Sequence, residues 1–330
     1  MSRQAATVTT PVRSAQRATT RQRTVAAAVS GVSWVTSRLP ERPLVGLAEL
    51  LGELWYRIDR RRAAQARRNL ARVVRWLTDE GLADAWVRSA ARDPRALERL
   101  VRAAFRHYAT YYLDVARAPA LTRSYLAERL TIETPDAFAE AVERPGPVIF
   151  VGLHFGAIEL QAYVAAVHAA RPLTVPMETV DDPALQDYFV RTRGALGIRI
   201  VGLREARREM LGALERGEAV GIVGDRDLTG GGMPVTLFGA PASLPLGPAL
   251  VAIESGAPTY AVTARRLKGG RYAGRLDRIV VPASGSRRER VTAFLASEAR
   301  WFERQIAQAP EQWWAVFFPI WRDLEGGVER

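Results

Sequence analysis

Cysteine is absent from this chain of 330 residues. Disulfides, thiolate nucleophiles, iron–sulfur clusters and cysteine-type zinc sites are thereby excluded. Histidine is scarce: His107, His154 and His168 are all there are, so any imidazole chemistry must draw on these three. They lie far apart with no His-x3-His spacing, and no metal site is expected. No run reaches the roughly 18 apolar residues that a spanning helix needs. The basic N-terminus is not followed by a long apolar stretch and a small-residue cleavage site, so no secretory signal is expected. Lysine is reduced to Lys268, leaving arginine to carry the positive charge.

What is present is unevenly distributed. The formal net charge is +12. Residues 1–75 hold fifteen arginines against Glu41, Glu49, Glu53 and Asp59, a net of +11, so the rest of the chain is nearly neutral. A basic end on a neutral body is drawn to an anionic surface, either membrane or nucleic acid. Residues 1–24, rich in Arg, Thr, Ala and Gln without apolar period, read as a disordered basic arm. In residues 43–58, PLVGLAELLGELWYRI, the apolar Leu44, Leu47, Leu51, Leu54, Trp55 and Ile58 recur at spacings of three and four, as in an amphipathic helix. Arg60, Arg61, Arg62, Arg67 and Arg68 follow. One reading inserts the stripe into a membrane and sets the arginines against anionic headgroups. The other packs the stripe on a core beside a solvated basic neighbour. Nucleic acid has no use for leucines so arranged, and no recognition motif appears. The expected partner is an anionic membrane surface, with no nucleic acid.

Residues 83–141 carry helical periods broken near Pro94, Pro119 and Pro135, so residues 25–142 are expected as a helical membrane-associating region packed on the catalytic body. Past Pro145-Gly146-Pro147 the pattern changes. VIFVGL (148–153), LTVPM (173–177), IRIVGL (198–203), AVGIVGD (219–225) and TYAVTAR (259–265) are short buried-strand runs, most of them separated by helical stretches at 158–170, 183–196 and 204–217. Such alternation predicts an α/β body with a mostly parallel sheet over residues 143–330. A last helix at 288–308 precedes the aromatic segment QWWAVFFPIW (312–321).

The chemistry concentrates in VIFVGLHFGAIEL (148–160). His154 stands at the carboxyl end of a buried strand, where open α/β sheets place ligands. A neutral imidazole there can take the proton of a sugar or glycerol hydroxyl as it attacks a thioester carbonyl, and a carboxylate on its other nitrogen fixes the tautomer. Glu159 lies five residues on and meets His154 only if the histidine sits in the turn before the helix. GDRDL ends a second strand, so Asp225, Arg226 and Asp227 are further candidates; Asp227 could equally cap the glycine-rich turn after it. His107 reads as a structural or surface histidine. No Gly-x-Ser-x-Gly elbow supports a hydrolase, and Gly230–Gly232 lacks dinucleotide spacing.

In order, RRRAAQARRNLARV, HFGAIE, PMETVDDP, RTRGALG, GDRDL with VTLFGAPASLPLGPA, and APEQWWAVFFPIW resemble the bacterial lipid A biosynthesis (late) acyltransferase family across residues 30–322. The GDRDL wording is nearer the phosphatidylinositol mannoside acyltransferase branch. The absence of the N-terminal spanning helix of many lipid A members points the same way. The resemblance implies a glycerolipid-acyltransferase-like α/β fold with a helical N-terminal membrane-docking region. It implies transfer from acyl-CoA or acyl-carrier protein, as co-substrate without a cofactor, to a hydroxyl of a membrane glycolipid such as a phosphatidylinositol mannoside or lipid A precursor. By motif it makes His154 the general base and Glu159, Asp225 or Asp227 its acid. It sets Glu178, Arg193 and Arg226 around the substrates; Phe155 and Phe238, with Ile158 and Leu237, are candidate wall residues. The protein is then expected at the cytoplasmic face of the cell membrane, peripheral or monotopic. The alternatives are a membrane-surface thioesterase or lipid hydrolase, and a non-enzymatic basic membrane- or nucleic-acid-binding protein.

Overall fold

The structure is a computed structural model describing residues 19–168, 171–178, 182–228 and 230–325. The first layer is helical: α1 (Thr20–Thr36), α2 (Glu41–Ile58), α3 (Arg60–Asp79), α4 (Ala85–Arg92), α5 (Pro94–Arg117) and α6 (Arg123–Arg129). Helix α1 begins inside the stretch read as a disordered arm. A capping box explains the start: Thr19 and Gln22 satisfy each other's backbone N–H groups. The rest of that arm, residues 1–18, lies outside the described residues.

Strand β1 (Leu130–Ile132) and the short α7 (Pro135–Phe138) lead into β2 (Val148–Gly152), α8 (Ile158–His168), β3 (Leu173–Met177), α9 (Pro183–Gly194), β4 (Ile198–Gly202), α10 (Ala206–Glu215) and β5 (Ala219–Val223). A hairpin of β6 (Met233–Leu237) and β7 (Ala240–Leu244) follows, then α11 (Gly247–Ser255), β8 (Thr259–Leu267), β9 (Arg271–Ile279) and α12 (Arg287–Ala307). The main sheet has seven strands in the order β1-β9-β8-β2-β5-β3-β4. Every pairing in it is parallel except β8 with β9. This is the expected α/β, mostly parallel sheet flanked by helices. Strand β2 lies at its centre and is buried at all five positions, as its unbroken apolar run requires. Strand β1, at the edge, comes from the region read as wholly helical. Three residues with one exposed are too short to show a strand period.

Most of the α2 stripe faces outward, although Trp55 packs on Phe105 and Tyr108 of α5. Ala48 and Gly52 face the body, while Leu47, Leu51, Leu54 and Ile58 are 50–71% exposed. Gly52 explains the orientation: a Cβ there would lie 2.7 Å from the Arg106 Cα and the Phe105 carbonyl of α5, so only glycine permits this approach. Of the arginines after the stripe, Arg60 and Arg61 face solvent. Arg67 is tied to Glu98 at 2.6 Å, and Arg68 donates to the Leu324 carbonyl. Buried Asn69 donates to the carbonyls of Val316 and Phe318, binding α3 to the C-terminal aromatic segment. Part of the basic element is therefore internal scaffolding. Among the described residues, no helix is long and apolar enough to cross a membrane.

Candidate active site

The site is made by the register of two neighbouring parallel strands. Gly152 of β2 pairs with Val223 of β5, and the Gly224 N–H donates to the Gly152 carbonyl at 2.9 Å. Each chain then runs two residues past its strand, which brings His154 opposite Asp225. Nδ1 of His154 lies 2.6 Å from Oδ1 of Asp225. The second carboxylate oxygen accepts from the Trp313 indole N–H at 2.7 Å. Burial alone would raise the pKa of Asp225. The charge and hydrogen bond of His154, with the Trp313 N–H, outweigh it and hold the carboxyl below its ordinary value. An ionised carboxylate only accepts, so Nδ1 carries a proton toward it, and in the neutral imidazole Nε2 is the nitrogen left with a lone pair.

The turn that carries His154 is fixed on both sides. Gly156 has φ +61°, and a Cβ there would lie 2.1 Å from the Ala264 carbonyl oxygen. Its N–H donates to the Gln312 carbonyl, and the Trp314 N–H donates to the His154 carbonyl. The Trp314 ring stands edge-on to the imidazole, 4.2 Å between centroids. Trp313 and Trp314 were visible as a tryptophan pair in the aromatic segment. Only the fold shows that this pair braces the histidine and its acid.

The remaining candidates separate. Glu159 does not hold His154: it is buried at the start of α8 and forms an ion pair with Arg193 at 2.5 Å. Burial would lower the Arg193 pKa, but the Glu159 charge and hydrogen bond raise it. Asp227 accepts from the N–H groups of Gly230 and Gly232 and from the Ser243 hydroxyl, so it organises the glycine turn. Phe155 and Phe238 are not wall residues. Phe155 pairs with Trp313 through a backbone bridge and is buried in the core, 1% exposed. Phe238 is buried between Trp76, Trp313 and Trp321, its N–H given to Glu303. Leu237 is also core. His107 is pushed down to about 3 by burial and by the Arg266 and Arg106 charges, so it stays neutral.

A cavity of about 630 Å3 opens at His154, and Ile158, Glu159, Glu178, Arg193, Arg226 and Trp314 are among its walls. Ile158, Ala162, Val175, Ile222 and Val223 also line a second chamber of about 110 Å3 between α8 and the sheet. Gln161 and Thr263 are the only polar side chains described around that chamber. A polar mouth with a histidine thus adjoins an apolar chamber that a hydrocarbon chain would fill.

Behind Asp225 lies Glu298 of α12, fully buried beside Gly224, with no hydrogen-bond partner among the described residues for either carboxylate oxygen. Burial, then the Asp225 charge, raise its pKa well above the ordinary value. The folded chain must hold a proton that the unfolded chain releases. This group's stability contribution is whole below the unfolded pKa and declines as pH rises toward the folded one. Glu298→Gln cannot ionise. Relative to wild type it is expected to be more stable at about pH 8 than at about pH 4, by about 1.4 kcal/mol per pH unit of the titration window crossed. Denaturant melts at the two pH values read this directly, and an identical difference at both would contradict it.

Residues 13–322 match the family model described as bacterial lipid A biosynthesis acyltransferase. The chain is 30% identical to the phosphatidylinositol mannoside acyltransferase of Mycolicibacterium smegmatis, over 76% of each protein. It is 29% identical to the protein of the same name in Mycobacterium tuberculosis, over 76% of this chain and 74% of that one. Among solved structures it is similar to the 1-acyl-sn-glycerophosphate acyltransferase PlsC of Thermotoga maritima, with 14% identity and a TM-score of 0.37, covering 79% of this chain and 97% of that one.

Proposed function

We propose, since this chain belongs to the bacterial lipid A biosynthesis acyltransferase family and is an acyltransferase, that it moves a fatty acyl group from a thioester donor to a hydroxyl of a membrane glycolipid, with His154 as general base. The observation that carries this reading is the 2.6 Å contact between His154 Nδ1 and a buried Asp225, at the mouth of a cavity that adjoins an apolar chamber. Nε2 takes the hydroxyl proton as the oxygen bonds to the thioester carbonyl carbon. Asp225 stabilises the imidazolium without itself being protonated. Collapse of the tetrahedral intermediate breaks the carbon–sulfur bond, and the imidazolium proton goes to the departing thiolate. No enzyme-bound acyl intermediate is needed.

The donor in this reading is acyl-CoA or acyl-carrier protein. The acceptor is a phosphatidylinositol mannoside or a similar glycolipid, in keeping with the names of the mycobacterial relatives. The test is transfer of labelled palmitate from palmitoyl-CoA, and separately from palmitoyl-carrier protein, to a total polar lipid extract. A labelled glycolipid supports the reading and its mass names the acceptor. Label released only as free palmitate with both donors would replace transfer by hydrolysis.

The same reading sets the protein at the cytoplasmic face of the membrane, held by the outward leucines of α2 and the exposed arginines beside them. Changing Leu47, Leu51 and Leu54 together to Gln is expected to reduce pelleting with anionic liposomes at least tenfold while leaving the melting temperature unchanged, because these side chains are about half exposed in the free protein. Pelleting equal to wild type would remove α2 from the docking surface.

A further inference from the structure

Three arginines line the cavity at His154, and two are spoken for. Arg193 is held by Glu159 at 2.5 Å, and Arg207 by Glu254 at 2.6 Å. Arg226 makes neither a hydrogen bond nor an ion pair among the described residues. Its guanidinium carbon lies over the Phe318 ring, 3.7 Å from the centroid. The carboxylate adjacent in sequence, Asp225, accepts from His154 and Trp313 and makes no hydrogen bond or ion pair with Arg226. Glu178 lines the same cavity but forms no ion pair with it. Burial lowers the Arg226 pKa, opposed by the charges of Asp225, Tyr108 and Glu178 in that order. A half-buried guanidinium without a partner is expensive to keep, and an incoming anion would relieve that cost. The Phe318 ring covers one side of the guanidinium, and its N–H groups, none of them given to a partner among the described residues, form a fork suited to two oxygens of one anion.

We propose that Arg226 receives a phosphate ester in the substrate complex, and that this ester belongs to the acceptor lipid. The inference rests on the acyl-transfer reading and deepens it by naming what the acceptor must carry. Position decides between the two sources of phosphate. Arg226 shares one aromatic wall with the base: Phe318 lies under it and contacts Trp314, and Trp314 contacts His154. A thioester donor carries its phosphates at the far end of the pantetheine arm from the reacting carbonyl. A phosphatidyl glycolipid carries its phosphodiester within a sugar or two of its hydroxyls. A phosphate that reaches Arg226 while a hydroxyl reaches His154 is therefore the acceptor's.

The test compares wild type with Arg226→Met, which keeps much of the length and loses the charge, and with Arg226→Lys. Palmitoyl-CoA is the donor; the acceptors are phosphatidylinositol mannoside and a mannosyl diacylglycerol without phosphate. Arg226→Met is expected to raise the KM for phosphatidylinositol mannoside by about tenfold to a hundredfold and to abolish the preference for it over the phosphate-free lipid. Arg226→Lys should recover part of both. A rise confined to the palmitoyl-CoA KM would overturn the assignment in favour of the donor. A fall in kcat with both KM values unchanged would overturn it in favour of transition-state stabilisation. Binding of glycerophosphoinositol, read by tryptophan fluorescence, needs no turnover and so separates this inference from the reaction. Should wild type transfer to neither lipid, the acyl-transfer reading has failed. The phosphate site then stands if wild type and His154→Ala bind the probe and Arg226→Met does not, and falls otherwise.

Discussion

Exchange of His154 for alanine is expected to lower kcat for acyl transfer by about 10²–10⁴-fold, with the melting temperature and the donor KM near wild type. The side chain is 17% exposed and lines the cavity, so the space its loss leaves joins the cavity rather than forming a closed void in the core. The imidazole is not needed to hold the turn, because the backbone bonds to Trp314 and Gln312 and the close approach of Gly156 to Ala264 remain. Residual turnover would come from substrate binding alone. Purified His154→Ala beside wild type, assayed across pH, decides the matter. Turnover within a few-fold of wild type would remove His154 from the chemistry and leave the cavity without a base.

The second large effect is expected for Asp225→Asn, and Trp313 makes it specific. In the native site one oxygen of Asp225 accepts from His154 and the other from the Trp313 indole, which can only donate. Asparagine has one oxygen for two donors. The fully buried indole cannot turn to water, so it claims that oxygen and leaves the amide NH2 facing Nδ1. The imidazole must then carry its proton on Nε2, the atom meant to accept one. Transfer is expected to fall by about 10²–10⁴-fold. Adding Trp313→Phe frees the asparagine to turn its oxygen toward His154, so the double variant should regain part of the lost kcat. Loss of the same size in both would refute the tautomer argument and reduce Asp225 to a packing role.

Much of this architecture is legible in the order of residues. VIFVGL is continuous and apolar because both faces of β2 are covered, and it ends where His154 needs a strand end. Asp225 is among the candidate acids in the sequence, but which of the three pairs with His154 is not legible there, because strand order is a tertiary fact. Asp225 stands 71 positions away in sequence, while Glu159 stands five away, which makes the wrong acid look nearer. Phe155 shows the converse error: it adjoins His154 in sequence, but the chain turns tightly at the histidine, with the Phe155 N–H given to the Leu153 carbonyl, and the Phe155 ring is buried in the core. In α2 the stripe identifies an apolar face but is silent on what covers it. Gly52 settles that, since it brings the helix in by its narrow side.

The path of the chain through the sheet has a consequence for descent. Between β2 and β5 the backbone leaves the centre, builds β3, α9, β4 and α10 at the far edge, and returns to set Asp225 beside His154. That excursion supplies Val175, Met177, Phe189, Ile200 and Met210 to the cavity, while the pairing of base and acid rests on the register of the two central strands and on the C-terminal segment around Gln312, Trp313 and Trp314. Mutation can therefore edit the excursion and the centre as separate inheritances. Substitutions in the excursion can thus reshape what the cavity admits while the paired base and acid pass down unaltered.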